Sequence, residues 1–386
     1  MENHSLTVPC LFGIEAVVKK EIQSLGLEII KVDDGRVTFQ GDQKAICRSN
    51  LWLRSGERVM LDIANFEART FDELFEAVKK IPWENYIPKD GKFWVTKASS
   101  IKSALFSPSD IQSIIKKAIV ERLKIKYNIS WFQEDGAEFP LRVFIKKDMV
   151  YISLDSSGDS LHKRGYRAFS GMAPIRESLA AGIIQLTHWN KDRIFADPFC
   201  GSGTLPIEAA MIGANMAPGL NREFVAEQWK NLIDAKSWME AVDEAHDLMD
   251  EDAQLNIQAF DLDFRVLKIA RENAKNAGVE KHIHFQERDM KDFYSNKKYG
   301  VIVTNPPYGE RLDDERTVIQ LYKDMGEQFK RLDTWSVNVI TSYEDFERYY
   351  GKQADKRRKL YSGMLKTNLY QYIGPKPKRL ITKTDN

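Results

Sequence analysis

Cysteine is scarce in this chain. There are three, Cys10, Cys47 and Cys200, among 386 residues, and no two form a CxxC pair. That count and spacing exclude a disulfide framework and a zinc knuckle, and they point to a reducing cytosol. Surplus charge of one sign is lacking too: 57 basic residues stand against 56 acidic ones, a net charge of +1. Any nucleic-acid surface must therefore come from local clustering. No apolar run approaches membrane-spanning length. The N-terminus does not read as a signal sequence, since Glu2 precedes a short apolar patch broken by Pro9 and Gly13.

What is present is enough apolar material for packed cores, 43% hydrophobic and 11% aromatic, in a chain long enough for two or three domains. Residues 1–66 read as a small α+β unit. Its helix spans 14–25, with Ile14, Val17, Val18, Ile22 and Leu25 on one face, and Asp34-Gly35 joins strands near 28–32 and 36–39. Residues 67–160 read as a second α+β unit. It has a strand at 93–96, a helix over 111–123 opened by Ser107-Pro108-Ser109-Asp110, and a strand pair at 141–145 and 149–154. Lys92, Lys97, Lys102, Lys116, Lys117, Arg122, Lys124 and Lys126 crowd this unit, among Phe93, Trp94, Tyr127, Trp131 and Phe132. Such a mixture can grip single-stranded or end-flared RNA, though a solvated helix face is the plainer reading of any one lysine. Ser156-Ser157-Gly158-Asp159-Ser160 reads as a linker, and a basic-aromatic stretch, His162-Lys163-Arg164-Gly165-Tyr166-Arg167, follows it. Pro174 is expected at the first turn of a helix over 175–186.

The third region, 161–386, carries the chemistry. Val301-Ile302-Val303-Thr304 is a short β-branched strand that ends at Asn305-Pro306-Pro307-Tyr308. Two prolines fix φ twice and remove two N–H donors, and Asn305 is pushed into an extended conformation. The result is a stiff corner carrying an amide and an aromatic ring. Such a corner suits transfer to an exocyclic amine on a planar base. The Asn305 amide oxygen and the Pro306 carbonyl can accept both N–H bonds of that amine, so that its lone pair turns out of the ring plane, while Tyr308 stacks on the base. Positioning rather than a strong base then supplies the rate. A plain strand-to-turn is the structural alternative.

A second motif lies upstream. Asp197-Pro198-Phe199-Cys200-Gly201-Ser202-Gly203-Thr204 places a carboxylate at a strand end, then a tight glycine loop, then a helix over 205–212. It is not a phosphate loop, because Gly-Lys-Ser/Thr is absent, and Pro206 occupies the third glycine position of the dinucleotide fingerprint. Asp-x-x-x-Gly-x-Gly suits a nucleoside bearing an amino-acid tail. Asp261 ends the next strand, placed to accept ribose hydroxyls, and Asp289 follows a third strand, in reach of an adenine amine. Each aspartate also reads as a helix N-cap. The insertion 215–250 reads as helical cover. Lys352, Lys356, Arg357, Arg358, Lys359 and Lys366, against Asp355 alone, make 352–372 the most basic stretch, fit for phosphate contact. Residues beyond Gly374 read as a solubilising tail.

Taken together, these stretches resemble the class I S-adenosylmethionine-dependent methyltransferases that act on exocyclic amines. More narrowly they are similar to the THUMP-containing RNA guanine-N2 methyltransferases, with the bacterial large-subunit ribosomal RNA enzymes nearest. His162-Lys-Arg-Gly-Tyr-Arg, Ala173-Pro-Ile-Arg-Glu-Ser-Leu-Ala-Ala, the glycine loop with its helix, and Asn305-Pro-Pro-Tyr-Gly-Glu-Arg carry the resemblance. It implies an α/β fold: a Rossmann-like seven-stranded domain with an antiparallel last strand, preceded by ferredoxin-like and THUMP domains. S-adenosylmethionine would be held by Asp197, Pro198, Phe199, Gly201, Gly203, Thr204, Asp261, Asp289 and Asn305. Asn305, Pro306, Pro307 and Tyr308 would hold a flipped-out base. The implied partner is RNA, ribosomal before transfer RNA, naked or in an assembling particle, in the cytoplasm and with no metal. Long fusions in this family carry a second methyltransferase domain, so one modification is expected here.

Three other readings stay open: a tRNA guanine-N2 enzyme, a DNA adenine-N6 enzyme, and a non-catalytic RNA-binding assembly factor. A cytosine-C5 enzyme is disfavoured, because its cysteine belongs near the fourth strand and Cys200 lies in the glycine loop.

Overall fold

The computed structural model describes residues 3–167, 174–307, 315–362 and 365–377. The chain forms two compact units. One holds Met1–Cys10, Val18–Leu161 and Arg222–Asp247; the other holds Leu11–Val17, His162–Asn221 and Leu248–Asn386.

In chain order the elements up to residue 155 are β1 (His4–Pro9), α1 (Glu15–Ser24), β2 (Glu28–Asp33), β3 (Arg36–Gly41), α2 (Gln43–Trp52), β4 (Met60–Glu67), α3 (Phe71–Lys80), β5 (Lys92–Ile101), α4 (Pro108–Tyr127), β6 (Glu138–Lys146) and β7 (Met149–Asp155). The seven strands make one sheet in the order β2-β3-β1-β4-β7-β6-β5. Sequence analysis divides this region at 66/67, but the sheet runs unbroken across that point, because β4 pairs antiparallel with β7 from Met60↔Asp155 to Glu67↔Met149. Leu6, Val8, Val37, Phe39, Leu141, Val143, Ile152 and Leu154 alternate along their strands and are buried.

Three local expectations change. Residues 156–160 are a packed knot rather than a linker. The Asn50 amide donates to Ser156 Oγ at 2.9 Å, Ser157 Oγ donates to Asn50 Oδ1 at 2.6 Å, and Ser156 and Ser157 are fully buried. Small hydroxyls read as flexible because they are polar, yet here each finds a buried partner. Pro174 precedes the next helix instead of opening it: α5 is Glu177–Leu186, with Arg176 as its N-cap. Within the basic cluster, much of the charge is committed internally. Lys116 Nζ donates to Glu134 at 2.6 Å and to the Phe93 carbonyl, and Arg122 pairs with Glu84 at 2.5 Å.

The insertion has a structural role inside the first unit. Its helix is α7 (Ala235–Asp247), which follows α6 (Thr204–Gly213) in the chain. Arg48 of α2 forks onto Glu244 at 2.7 and 2.9 Å. Trp229 stacks on Phe139 of β6 with ring centroids 5.4 Å apart, and its indole N–H donates to the Glu138 carbonyl at 2.7 Å.

The second unit continues with β8 (Phe195–Asp197), β9 (Ile257–Asp261), α8 (Phe264–Asn276), β10 (Ile283–Glu287), β11 (Val301–Thr304), α9 (Glu315–Lys330), β12 (Ser336–Thr341), α10 (Phe346–Tyr350), β13 (Lys356–Ser362) and β14 (Leu365–Tyr372). Its sheet runs β10-β9-β8-β11-β12-β14-β13. All pairings from β10 through β12 are parallel, while β14 is antiparallel to both its neighbours. The expected seven strands with a reversed last strand are thus present. Strand order reverses between β8 and β11, and in open sheets of this kind ligands bind at the carboxyl ends beside that point. Asp197 and Thr304 are the terminal residues of those two strands.

Candidate active site

The glycine loop is pinned from two sides. Cys200 N–H donates to the Phe260 carbonyl at 2.9 Å, Gly201 N–H donates to Asp261 Oδ2 at 3.0 Å, and the Asn273 amide of α8 donates to the Ser202 carbonyl at 3.0 Å. The loop therefore lies against the end of β9 and leads straight into α6, with Gly203 as N-cap. Both glycines have positive φ, +52° at Gly201 and +87° at Gly203, which side chains resist. Their surroundings differ. A Cβ on Gly203 would stand 3.1 Å from Ala270 Cβ, so this glycine permits helix-to-loop packing. A Cβ on Gly201 would meet nothing within 4 Å, so Gly201 floors an open space.

Three carboxylates stand at or just past the ends of the parallel strands: Asp197 ends β8, Asp261 ends β9, and Asp289 lies two residues beyond β10. Asp197 is buried, 1% exposed. Its Oδ1 accepts the Thr304 hydroxyl at 2.6 Å and the Phe199 N–H at 3.1 Å. Burial pushes its carboxyl up to about 7, assisted by Asp261 and opposed by those two hydrogen bonds. Asp261 is half-buried; it accepts Gly201 N–H on one oxygen and Asp263 N–H, at 3.0 Å, on the other. Each oxygen keeps a further lone pair for a hydroxyl donor. Leu262 and Phe264 beside it are 64% and 63% exposed, apolar flanks for a planar ring. Asp289 is half-buried and caps a short turn, accepting Lys291 N–H at 2.9 Å. Its cap role and a ligand role are compatible, because among the described residues no hydrogen bond engages its second oxygen. Asp263 is a helix cap, accepting Arg265 N–H at 2.9 Å.

The proline corner stands on the other side of Asp197. Asn305 is half-buried, Pro306 buried and Pro307 exposed. Among the described residues no hydrogen bond engages the Asn305 amide. The corner is braced from behind: the Tyr322 hydroxyl of α9 donates to the Pro307 carbonyl at 3.2 Å and lies 3.0 Å from Thr341 Oγ1. Tyr322 is itself fixed by Phe346, ring centroids 4.9 Å apart. Tyr308 lies outside the described residues. Pro198 is buried and Phe199 half-buried in the loop, and Thr204 is buried at the first turn of α6. Cys200 is buried with its thiol held protonated, burial being the main cause, so no thiolate is available for C5 chemistry here.

Sequence reasoning missed the groups that hold this edge together. In the sequence Thr304 is only a strand residue and Tyr322 only part of a helix; a single β-branched or aromatic letter carries no sign of a hydroxyl's partner. Glu208 of α6 and Arg164 also went unassigned, although the basic stretch around Arg164 was visible.

Known proteins share these features. Residues 164–371 match the model of the RMKL-like methyltransferase domain, residues 5–60 the RlmL ferredoxin-like domain and residues 68–155 the THUMP domain. YpsC of Bacillus subtilis strain 168, described as a candidate RNA methyltransferase, is 51% identical over 100% of both chains. A ribosomal RNA large subunit methyltransferase K/L of Syntrophotalea carbinolica is 33% identical over 93% of this chain and 52% of its own, so this chain spans about half of that relative. Among solved structures, SMU.472, a candidate methyltransferase complexed with SAH, superposes with a TM-score of 0.92 at 45% identity, covering 98% of this chain and 100% of that one. A Listeria monocytogenes protein described as a predicted N6-adenine-specific DNA methylase gives a TM-score of 0.92 at 51% identity over 97% of each chain.

Proposed function

This chain belongs to the RMKL-like methyltransferase family, which uses S-adenosylmethionine, and from that premise we propose that it methylates the exocyclic N2 amine of a guanine in RNA, large-subunit ribosomal RNA first. The observation that carries the reading is the bond between Thr304 and Asp197, which sets the Asn305 corner next to the glycine loop. The residues present fit the cofactor. Asp261 has hydroxyl acceptors to spare, Gly201 leaves room where a side chain would intrude, and Asp197 offers a buried carboxylate for an ammonium group.

The bound cofactor supplies a methyl group made electrophilic by its sulfonium. Everything else falls to the chain. Asp261 holds the ribose and Asp289 the adenine amine. Asp197, with Pro198, Phe199, Gly203 and Thr204 shaping the loop around Gly201, holds the amino-acid end. The Asn305 amide oxygen and the Pro306 carbonyl accept the two N–H bonds of the target amine, turning its lone pair out of conjugation. Pro307, tied to Tyr322, keeps that corner rigid, and Tyr308 stacks on the base. No strong base is required, because the nitrogen loses its proton after it has become cationic. A paired guanine has to leave its helix to reach the corner.

In this reading residues 1–66 and 67–160, the ferredoxin-like and THUMP portions, select RNA, and residues 161–386 perform the transfer. An RNA substrate makes the enzyme cytoplasmic. Incubating the full chain and labelled S-adenosylmethionine with ribosomal RNA, tRNA or DNA tests the assignment. Label in ribosomal RNA supports it. Label confined to tRNA would move the substrate, and label confined to DNA, as the Listeria relative's description has it, would overturn the RNA reading.

A further inference from the structure

The basic stretch 352–372 has no part in the chemistry above, yet the fold sets part of it on the same sheet edge as the proline corner. β11 ends at Thr304, level with Val339 of β12. Two residues further along β12, Thr341 stands level with Asn368 of β14 and, through it, with Lys359 of β13. From β11 to β13 is three strand spacings, about 14 Å. Rings and cations lie along that edge. Tyr322, which holds the Pro307 carbonyl, meets Tyr343 with ring centroids 5.6 Å apart, and Tyr343 meets Tyr349 at 6.0 Å. The Arg348 guanidinium lies 5.6 Å from the Tyr349 ring, and Lys359 Nζ lies 5.5 Å from the Tyr361 ring. Phe12 stands edge-on to Tyr361 at 6.0 Å and is 49% exposed. It is held there by Gly13, at φ +96°, where a Cβ would come within 2.6 Å of the Lys359 carbonyl. Tyr343, Tyr349 and Tyr361 are half-buried, and Arg348 and Lys359 are exposed.

The charge here is positive and in part uncommitted. Between residues 344 and 366 seven basic residues stand against four acidic ones. Glu347 accepts the Ala354 N–H at 2.7 Å and lies 3.9 Å from Arg357, Glu344 pairs with Lys366 at 3.5 Å, and Asp355 accepts the Ile373 N–H at 2.7 Å. Among the described residues neither Arg348 nor Lys359 makes an ion pair or a side-chain hydrogen bond, and a cation over a ring keeps its N–H donors. Lysine on an edge strand also guards against strand pairing, but that role calls for neither an exposed Phe12 nor an arginine over Tyr349. We propose that this edge carries a single-stranded segment of the substrate RNA, on one side of the flipped base, an inference that rests on the RNA reading above. Interleaved rings and cations suit that occupant, since its bases stack on aromatic faces and its phosphates meet the cations. Phe12 and Tyr361 form the far stacking platform, and Arg348 and Lys359 take phosphates. Because the edge begins at the Asn305 corner, the strand held along it sets which nucleotide reaches Asn305.

The full chain, the Arg348→Gln/Lys359→Gln double variant and Phe12→Ala, all changes of exposed side chains, are compared for binding of SAH and of large-subunit ribosomal RNA from cells lacking the gene, across a salt series. For the double variant the proposal predicts weaker RNA binding and a salt slope shallower by about 0.7 for each lost phosphate contact. For Phe12→Ala it predicts RNA affinity about tenfold weaker with the slope unchanged. Both variants should keep the wild-type SAH affinity, which shows the fold intact. Wild-type RNA affinity in either variant would overturn the proposal. So would a wild-type chain that sediments as a dimer and a double variant that sediments as a monomer, since the edge would then be a contact between copies of this chain. Weakened variants beside a wild type that binds this RNA but transfers no methyl to it would keep the RNA on this edge and contradict the proposed function instead.

Discussion

The Thr304 hydroxyl donates a hydrogen bond to Asp197 Oδ1 at 2.6 Å, joining the last residue of β11 to the last residue of β8. Both are buried, 0% and 1% exposed. A hydrogen bond shielded from water is stronger than one in solvent. It holds the start of the proline corner and the start of the glycine loop in one register.

The elevated Asp197 carboxyl makes stability depend on pH. Burial raises it to about 7 in the folded chain, whereas the unfolded value is about 3.9. Between these two values the folded state keeps a proton that the unfolded state has released, so this group's contribution is complete below about 4 and is lost as pH rises through 7. Urea unfolding of the ligand-free chain and of Asp197→Asn should show it. The wild type is expected to lose stability relative to the variant by about 1.4 kcal/mol per pH unit across that window. A difference independent of pH would refute the assignment.

The two loop glycines should separate fold from ligand. Gly203→Ala forces a Cβ to 3.1 Å from Ala270 at φ +87°, so it should destabilise the chain by about 1–3 kcal/mol. Gly201→Ala meets open space. Its cost in stability should be nearer 1 kcal/mol, with SAH affinity falling far more than the melting temperature. Calorimetric titration beside thermal melts reads both; SAH affinity unchanged in Gly201→Ala would remove the cofactor from this space.

Glu208 of α6 faces Arg164, with side chains 0% and 1% exposed. Glu208→Ala removes the carboxylate facing a buried guanidinium and should cost about 3–5 kcal/mol, measured as a drop in the urea midpoint without change in slope. A loss below 1 kcal/mol would show that the pair is not desolvated as described.

Much of this architecture was legible in the letters, for identifiable reasons. Val301–Thr304 is four apolar or β-branched residues in a row, the pattern of a strand buried on both faces, and all four are buried. Asp197 and Asp261 stand where a parallel strand ends and a helix begins, so their place at the carboxyl edge follows from topology alone. What was illegible depends on pairing across distance. Ser156 and Ser157 look like linker residues until Asn50, over a hundred positions away, meets them. Lys116 looks like an RNA contact until its ammonium is seen donating to Glu134 and to the Phe93 carbonyl. The insertion around Trp229 shows aromatic content, but nothing in its own sequence says that Phe139 is its partner.

The account turns on Asn305 presenting a base amine to the methyl donor. Nucleoside mass spectrometry of large-subunit ribosomal RNA treated with wild type or Asn305→Ala, each first shown to bind SAH equally, tests it most directly. N2-methylguanosine made by the wild type and reduced at least about a thousandfold by the variant is the predicted result. Equal N2-methylguanosine from both proteins, or a methyl group found on another atom, would contradict it.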